Sequence, residues 1–441
     1  MRMFLKNKME RELYDNYLAI LREELVPAMG CTEPIAIAYA AAKAREALGL
    51  MPEKMHVSCS GNIIKNVKGV IVPNSGNQKG IEVAAILGAV GGDASKELEV
   101  IAGTTDEARE KTKKLVREKI CDVTLAENVP NLFIEVVAEA EKHKSSVRIE
   151  NHHTDITRIT LDGKIIFENA PKENKSEIKT SKADRNLMTL RGVLEFANEL
   201  NVDDVREIFE RQIECNSKIS QEGLDNKWGA RVGKTMLESW GSDVRSRACA
   251  RAAAGSDARM SGCPLPVVIN SGSGNQGITV TLPVIEYADE WHLSREKLYR
   301  ALAVSNLVSV YIKHYIGSLS AFCGAVSAAS GAGAAITYMA GGDYESVGAT
   351  ITNTLANVGG IVCDGAKPSC AAKIASSVHA ALLAHYMSMS YKEFRGGEGF
   401  VEDDVEKTIK NMGYIGKIGM KETDKEILNV MIDKIDVDSC L

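Results

Sequence analysis

The stretch YIGSLSAFCGAVSAASGAGAAITYMAGG runs from Tyr315 to Gly342 without a charged side chain. A run of this length is sufficient to cross a membrane. Ala, Gly and Ser supply most of it, however, and few Leu, Ile or Phe are present to favour insertion into lipid. The stretch therefore predicts a buried helix that packs among other helices, and it makes a largely helical protein the first expectation.

The composition of the whole chain is that of a globular protein with a sizeable core. Its 441 residues are 45% hydrophobic and 25% charged, and a chain of this length predicts about two or three domains. The net charge of −6 argues against nucleic acid or an anionic membrane as the main partner. The charged N-terminus lacks the apolar core of a signal peptide, so we expect a cytoplasmic protein with reduced thiols.

Short β-rich runs and helical patterns alternate from about residue 55 to 170. The runs are HVSCS, LEVIA, LFIEVVAEA, SVRIEN, ITRITL and KIIFEN, and Asp-Gly between the last two predicts a hairpin. Helical patterns dominate elsewhere, except at 263–284, where Gly and Pro argue against a helix. The expected fold is α+β. N-terminal helices (1–54) and a mainly helical catalytic domain (185–441) would carry an inserted small α+β domain with its linker (55–184).

Two segments of the chain resemble each other. VIVPNSGNQKGIEV (70–83) and VVINSGSGNQGITV (267–280) share an Asn-Ser-Gly followed by Asn-Gln and a Gly-Ile. Gly lets a backbone approach a ligand closely, and Ser, Asn and Gln supply hydrogen-bonding groups. The segments predict either two loops that face one binding site or two tight turns. Under the first interpretation, Asn77, Ser271 and Asn275 contact a substrate.

Three of the ten cysteines, Cys323, Cys363 and Cys370, lie in turn-like or small-residue sequence. Their spacing, C-x39-C-x6-C, matches neither zinc fingers nor the bacterial ferredoxin run. Spacing alone leaves a metal site and small buried hydrophobes both open. The turns favour a metal site, because three thiolates can hold a [4Fe–4S] cluster and leave one iron open.

A fourth cysteine, Cys31, precedes a predicted helix in MGCTEP. Backbone amides and the helix dipole favour an anion at such a position, and they lower the pKa of a thiol. Amides near Thr32 could likewise hold a substrate carboxylate. The alternative is a buried cysteine that merely begins the helix.

Several of these motifs together resemble the L-cysteine desulfidase family and, more distantly, the iron–sulfur L-serine dehydratases. The resemblance covers about residues 15–430 and rests on GCTEPIAIAYAAAKA, SGNIIKNVKGVIVPNSG, SGSGNQGI, IKHYIGSLSAFCGAVSAASGAGAA and NTLANVGGIVCDGAKPSCAAKI. It implies a [4Fe–4S] lyase that converts L-cysteine into pyruvate, sulfide and ammonia. By this resemblance Cys323, Cys363 and Cys370 ligate the cluster, and Cys31 accepts the Cα proton.

The remaining expectations concern Lys313, Cys440 and alternative functions. Lys313 is expected to be a charge partner for the substrate or for a nearby carboxylate, because no convincing phosphate loop supports a pyridoxal phosphate site. Cys440 is a candidate ligand of the open iron when substrate is absent. The same machinery would also serve an L-serine dehydratase, and a non-catalytic iron–sulfur sensor is the alternative from another class. Homo-oligomerisation is left open.

Overall fold

A computed structural model of the chain describes residues 9–169, 183–317 and 319–435. The architecture is mainly helical with one six-stranded sheet and one two-stranded sheet, which confirms the predicted α+β class. Cys440 and most of the predicted linker lie outside the described residues.

The helices are, in chain order, α1 (Arg11–Glu24), α2 (Thr32–Leu48), α3 (Gly61–Val67), α4 (Ile81–Gly91), α5 (Asp106–Arg117), α6 (Leu190–Glu199), α7 (Arg206–Asp225), α8 (Val232–Trp240), α9 (Val244–Met260), α10 (Gly274–Glu290), α11 (Arg295–Ile316), α12 (Gly324–Met339), α13 (Tyr344–Val358), α14 (Cys370–Ser388), α15 (Val405–Tyr414) and α16 (Lys421–Met431). The strands are β1 (Pro27–Met29), β2 (Lys54–Cys59), β3 (Cys121–Leu125), β4 (Phe133–Ala140), β5 (His143–Glu150), β6 (Ile156–Leu161), β7 (Lys164–Glu168) and β8 (Pro266–Val268).

The small-residue stretch quoted above forms α12, which is buried and packs against α10, α11, α13 and α14. Small residues make this close packing possible. A Cβ on Gly331 would lie 2.3 Å from the backbone oxygen of Ser305 on α11. The expected buried helix is therefore present. No helix within the described ranges is long and apolar enough to cross a membrane.

One helix contradicts the prediction that Gly and Pro interrupt residues 263–284. Helix α10 begins at Gly274 and continues through Pro283 to Glu290. Nearly all its residues are buried against α7, α9 and α12. An internal Pro removes one helical hydrogen bond, but this packing outweighs the unfavourable propensity of a single residue.

The six-stranded sheet has the order β3-β2-β4-β5-β6-β7, in which only the β2–β3 pair is parallel. The predicted hairpin joins β6 and β7 at Asp162 and Gly163, both of which have positive φ. The predicted strand LEVIA is wrong. This run ends a 3₁₀ helix and buries its Val100 and Ile101 in the core through a turn.

Helices α6–α16, here called the helical part, and the six-stranded sheet meet near residue 30. Strand β1 pairs with β8 of the helical part, with Pro27 opposite Val268. The chain then turns at Gly30, where φ is 56° and a Cβ would lie 2.0 Å from Pro73. Helix α2 leaves this turn and packs on α4 and on the sheet. The beginning of α2 thus lies between the two parts of the molecule.

Candidate active site

A cavity of about 310 Å³ lies where these two parts of the molecule meet. Residues of the α2 and α3 segments, the β5–β6 loop and the helical part all line it. Its walls contain four cysteines together with charged and amide side chains, as the following contacts show.

The first wall carries the three cysteines singled out as cluster ligands. Cys323 precedes α12, Cys363 follows α13, and Cys370 begins α14. Phe322 pairs with Val362 in an isolated β-bridge, and the Cys323 N–H donates to the Ile361 carbonyl at 3.1 Å. This pairing brings Cys323 and Cys363 to one wall although about 40 residues separate them.

The donor set on this wall consists of three cysteine thiols that line one cavity, which is the ligand type of an iron–sulfur cluster. Within the described ranges, no three His, Cys, Asp or Glu side chains converge to hold one metal ion. A cluster does not need that convergence, because each cysteine binds a different iron. Burial raises the pKa of Cys323, and the thiols of Cys363 and Cys370 raise it further. Bound metal would relieve this cost, since it favours the thiolate.

The second wall is the start of α2, where Cys31 is the N-cap residue. Its thiol donates to Oε2 of Glu33 at 2.9 Å. Burial and the Glu33 carboxylate raise the pKa of Cys31 well above the usual thiol value, although Arg259 opposes them. The expectation of a lowered thiol pKa is therefore wrong for this structure, because burial beside a carboxylate outweighs the helix N-terminus.

Glu33 organises this second wall. Asn66 Nδ2 donates to Oε1 at 3.0 Å, and Thr32 Oγ1 lies 3.1 Å from Oε2. His153 Nε2, from the β5–β6 loop, lies 3.9 Å from Oε1. Burial would raise the pKa of Glu33, but His153 and the Cys31 thiol outweigh it and lower the pKa to about 2. Glu33 is thus an anion that joins Cys31 and His153.

The predicted substrate contacts divide into two groups. Ser271, Asn275 and Lys313 line the cavity, and burial lowers the pKa of Lys313 to about 8. Thr32 is buried and donates to the Gly272 carbonyl at 2.9 Å, which fixes the start of α2 to the loop before α10. Asn77 is exposed in a separate turn and does not line the cavity.

Several polar atoms in the cavity wall are buried and have no hydrogen-bond partner within the described part of the chain. They are Asn62 Oδ1, Arg259 Nε, Asn275 Oδ1 and Gln276 Oε1. Buried polar atoms usually have partners, so these atoms indicate a polar ligand.

Four further residues line the cavity but were not predicted from the sequence: Glu33, His153, Arg259 and Gln276. For Arg259 a signal was present, since a charged residue inside the small-residue helix sequence RAAAGSDARMSG requires an explanation.

Comparison with known proteins supports the more distant part of the resemblance, that to the serine dehydratases. Residues 95–429 match the family model described as serine dehydratase alpha chain. A UPF0597 protein of Lachnoclostridium phytofermentans is 52% identical over 421 residues, covering 96% of this chain and 100% of the relative. Another from Desulfitobacterium hafniense is 50% identical over 428 residues, covering 97% and 99%. A third from Finegoldia magna is 49% identical over 426 residues, covering 95% and 100%. The chain therefore belongs to the serine dehydratase alpha chain family.

Proposed function

We propose that the protein is a [4Fe–4S]-dependent lyase that removes sulfide from L-cysteine by β-elimination, giving pyruvate, sulfide and ammonia. The observation that carries the proposal is that Cys323, Cys363 and Cys370 line the same cavity as Cys31 and Glu33. Membership of the serine dehydratase alpha chain family supports lyase chemistry on a small amino acid.

Cys323, Cys363 and Cys370 are the residues that would hold the cluster, since soft thiolates suit iron. When bound, the cluster would supply a Lewis-acidic, thiophilic iron that no protein side chain occupies. Lys313 is buried beside these thiols and would balance their negative charge.

Cys31 is the proposed acceptor of the Cα proton. The thiol donates to one oxygen of Glu33, which fixes its direction in the cavity, and His153 Nε2 faces the other oxygen. The thiol proton has to leave for solvent before the Cα proton is taken. The Arg259 guanidinium, which opposes the effect of burial on the pKa of Cys31, would stabilise the resulting thiolate.

The product of elimination, 2-aminoacrylate, hydrolyses to pyruvate and ammonia without a catalytic residue. The proposal therefore needs no second acid–base group for this stage. We place the reaction in the cytoplasm, where the thiols stay reduced and available to iron.

Anaerobic reconstitution with iron and sulfide tests the proposal. We expect about four irons per chain, and faster pyruvate formation from L-cysteine than from L-serine. Faster turnover of L-serine would support the second candidate, an L-serine dehydratase, which the name of the matched family favours. Full iron content without turnover of either amino acid would indicate a non-catalytic iron–sulfur protein, and no bound iron would overturn the cluster assignment.

A further inference from the structure

Arg259 is a buried cation for which the described chain offers no anionic partner. It lies in the last turn of α9, is 2% exposed, and has no hydrogen-bond partner at Nε. Its Nη1 donates only weakly, to the Met260 sulfur at 4.0 Å. Arg247 and Arg251 on the same helix instead pair with Glu286, each at 3.0 Å. An unpaired buried charge is costly, so its place in a cavity wall calls for an anionic ligand.

The position of Arg259 strengthens the attraction for an anion. A Cβ on Gly274, the first residue of α10, would lie 2.3 Å from Arg259 Nε. The guanidinium therefore lies directly beside the N-terminus of a 17-residue helix. Helix N-termini attract anions, and a guanidinium matches the two oxygens of a carboxylate.

The same helical turn offers acceptors for a positive group. Asn275 Oδ1 and Gln276 Oε1 are buried, unpartnered and part of the cavity wall. An α-amino acid carries its carboxylate and its ammonium on the same carbon atom. The guanidinium that would bind the carboxylate lies beside Gly274, and the amide oxygens that would accept from the ammonium belong to the two residues that follow Gly274.

We infer that Arg259 binds the α-carboxylate of the substrate, while Asn275 and Gln276 accept hydrogen bonds from its α-ammonium. The inference rests on the proposed function and deepens it, because it assigns the part of the cavity that holds the amino-acid head group. Arg259 and Cys31 line the same cavity, and Met260, the residue after Arg259, packs in one buried cluster with Cys31. A substrate held at Arg259 therefore has its Cα close to Cys31.

A competing role for Arg259 is to balance the charge of the cysteine wall without touching substrate. A substrate that lacks the carboxylate charge separates the two roles. L-cysteinamide keeps the ammonium and the leaving sulfur but has no carboxylate.

The experiment compares kcat/KM for L-cysteine and L-cysteinamide in iron-loaded wild type, Arg259→Gln and Arg251→Gln. Wild type should prefer L-cysteine by about a hundredfold, the scale of a buried charge-assisted pair. Arg259→Gln should lose most of that preference by losing activity on L-cysteine alone. Arg251→Gln removes a charge from the same helix outside the cavity and should keep the preference. Equal losses on both substrates in Arg259→Gln would overturn the inference.

Two further measurements keep the test decisive. Equilibrium dialysis with L-alanine and L-alaninamide, which have no leaving group, reads the carboxylate site without turnover. If wild type turns over neither substrate, the proposed function fails, yet selective loss of L-alanine binding in Arg259→Gln would still support the carboxylate site. If Arg259→Gln does not fold, Arg259→Lys takes its place. Its kcat/KM should fall about tenfold for L-cysteine only, because lysine keeps the positive charge but cannot donate two parallel hydrogen bonds to a carboxylate.

Discussion

Residues 70–83 and 267–280 share an Asn-Ser-Gly, an Asn-Gln and a Gly-Ile, yet their Asn-Gln side chains have different surroundings. The first segment forms a closed turn outside the cavity, and the second lines the cavity with unpartnered groups. Of the two alternatives offered by the sequence, the first segment is a tight turn, and the second segment lines the cavity.

The polar groups of the first segment satisfy one another. Gln78 Nε2 donates to the Ser75 carbonyl at 2.7 Å, and the Gln78 N–H donates to Ser75 Oγ at 2.9 Å. Asn74 Nδ2 donates to the Ile101 carbonyl at 3.0 Å. Helix α4 starts only at Ile81, so Gln78 stays in the turn.

The second segment starts its helix earlier. Helix α10 begins at Gly274, so Asn275 and Gln276 lie in its first turn, and their side chains leave the loop. The Ser273 side chain caps this helix by accepting from the Gln276 N–H. In these two segments, the residue at which the helix starts therefore determines whether the Asn-Gln pair closes a turn or faces the cavity.

Removal of one of the three cysteines that share the cavity with the second segment should have the largest effect. Changing Cys323, Cys363 or Cys370 to Ala should remove most of the iron and nearly all turnover, because two thiolates hold a cluster poorly. Iron content and the visible spectrum of anaerobic protein measure this loss. Cys59→Ala is the control, since that buried thiol belongs to β2 and does not line the cavity. Full iron content in all three variants would contradict the ligand assignment.

The second largest effect is expected at Cys31, where loss of a base can be distinguished from loss of a cluster ligand. Cys31→Ser should retain its iron and lose about a hundredfold or more in kcat, the usual scale for a positioned base. A serine hydroxyl is much harder to ionise than a thiol, even one whose pKa burial has raised. Iron content and kcat measured on one preparation distinguish the roles. A parallel fall of both would make Cys31 a ligand.

Local signals in the sequence predicted much of the fold. Helix α2 starts where Cys31 and Thr32 predict it and ends at Gly49, whose φ of 74° suits a glycine. The Asp-Gly turn fixed the β6–β7 hairpin in the same way. Strand β3 and helix α10 escaped prediction, because parallel pairing with β2 and burial around Pro283 are set by distant parts of the chain.

The candidate site likewise contains residues that local motifs predict and residues that only the folded chain brings together. The cysteines and the Ser271–Asn275 loop were visible as motifs. The charged partners were not, because their proximity exists only after folding. His153 reaches Glu33 from the β5–β6 loop, and Arg259 arrives from the end of α9.

Equivalent glutamine substitutions in the two segments test whether only the second segment contributes to activity. Gln276→Leu should lower kcat/KM by tenfold to about a hundredfold, because it removes an acceptor for a charged group, and it should cost little stability. Gln78→Leu should leave the kinetics unchanged and lower the free energy of unfolding by about 1 kcal/mol through loss of a turn hydrogen bond. Kinetics and urea unfolding of both variants provide the measurement. Similar kinetic losses in the two variants would show that both segments serve the site.

The smallest effect concerns an unpartnered atom that does not face the cavity. Asp257 on α9 accepts from the Gly233 N–H through Oδ2, while its buried Oδ1 has no partner among the described residues. Burial raises its pKa from the ordinary 3.8 to about 6. The folded state therefore favours the protonated form, and the stability of the wild type should fall as pH rises from about 4 to about 6.

Asp257→Asn removes this ionisation and keeps an acceptor for Gly233. Its melting temperature should exceed that of wild type at pH 7.5, and the difference should vanish towards pH 4. Asp243, the N-cap of α9, is the control of opposite sign, since Arg245 and neighbouring amides lower its pKa to about 2. Asp243→Ala should lose about 1 kcal/mol at neutral pH, and its difference from wild type should shrink as pH falls below 3.8. If Asp257→Asn raised the melting temperature equally at all pH values, the pKa of Asp257 would not be raised. A partner would then stabilise its carboxylate, which contradicts the assignment of Oδ1 as an unpartnered buried atom outside the cavity.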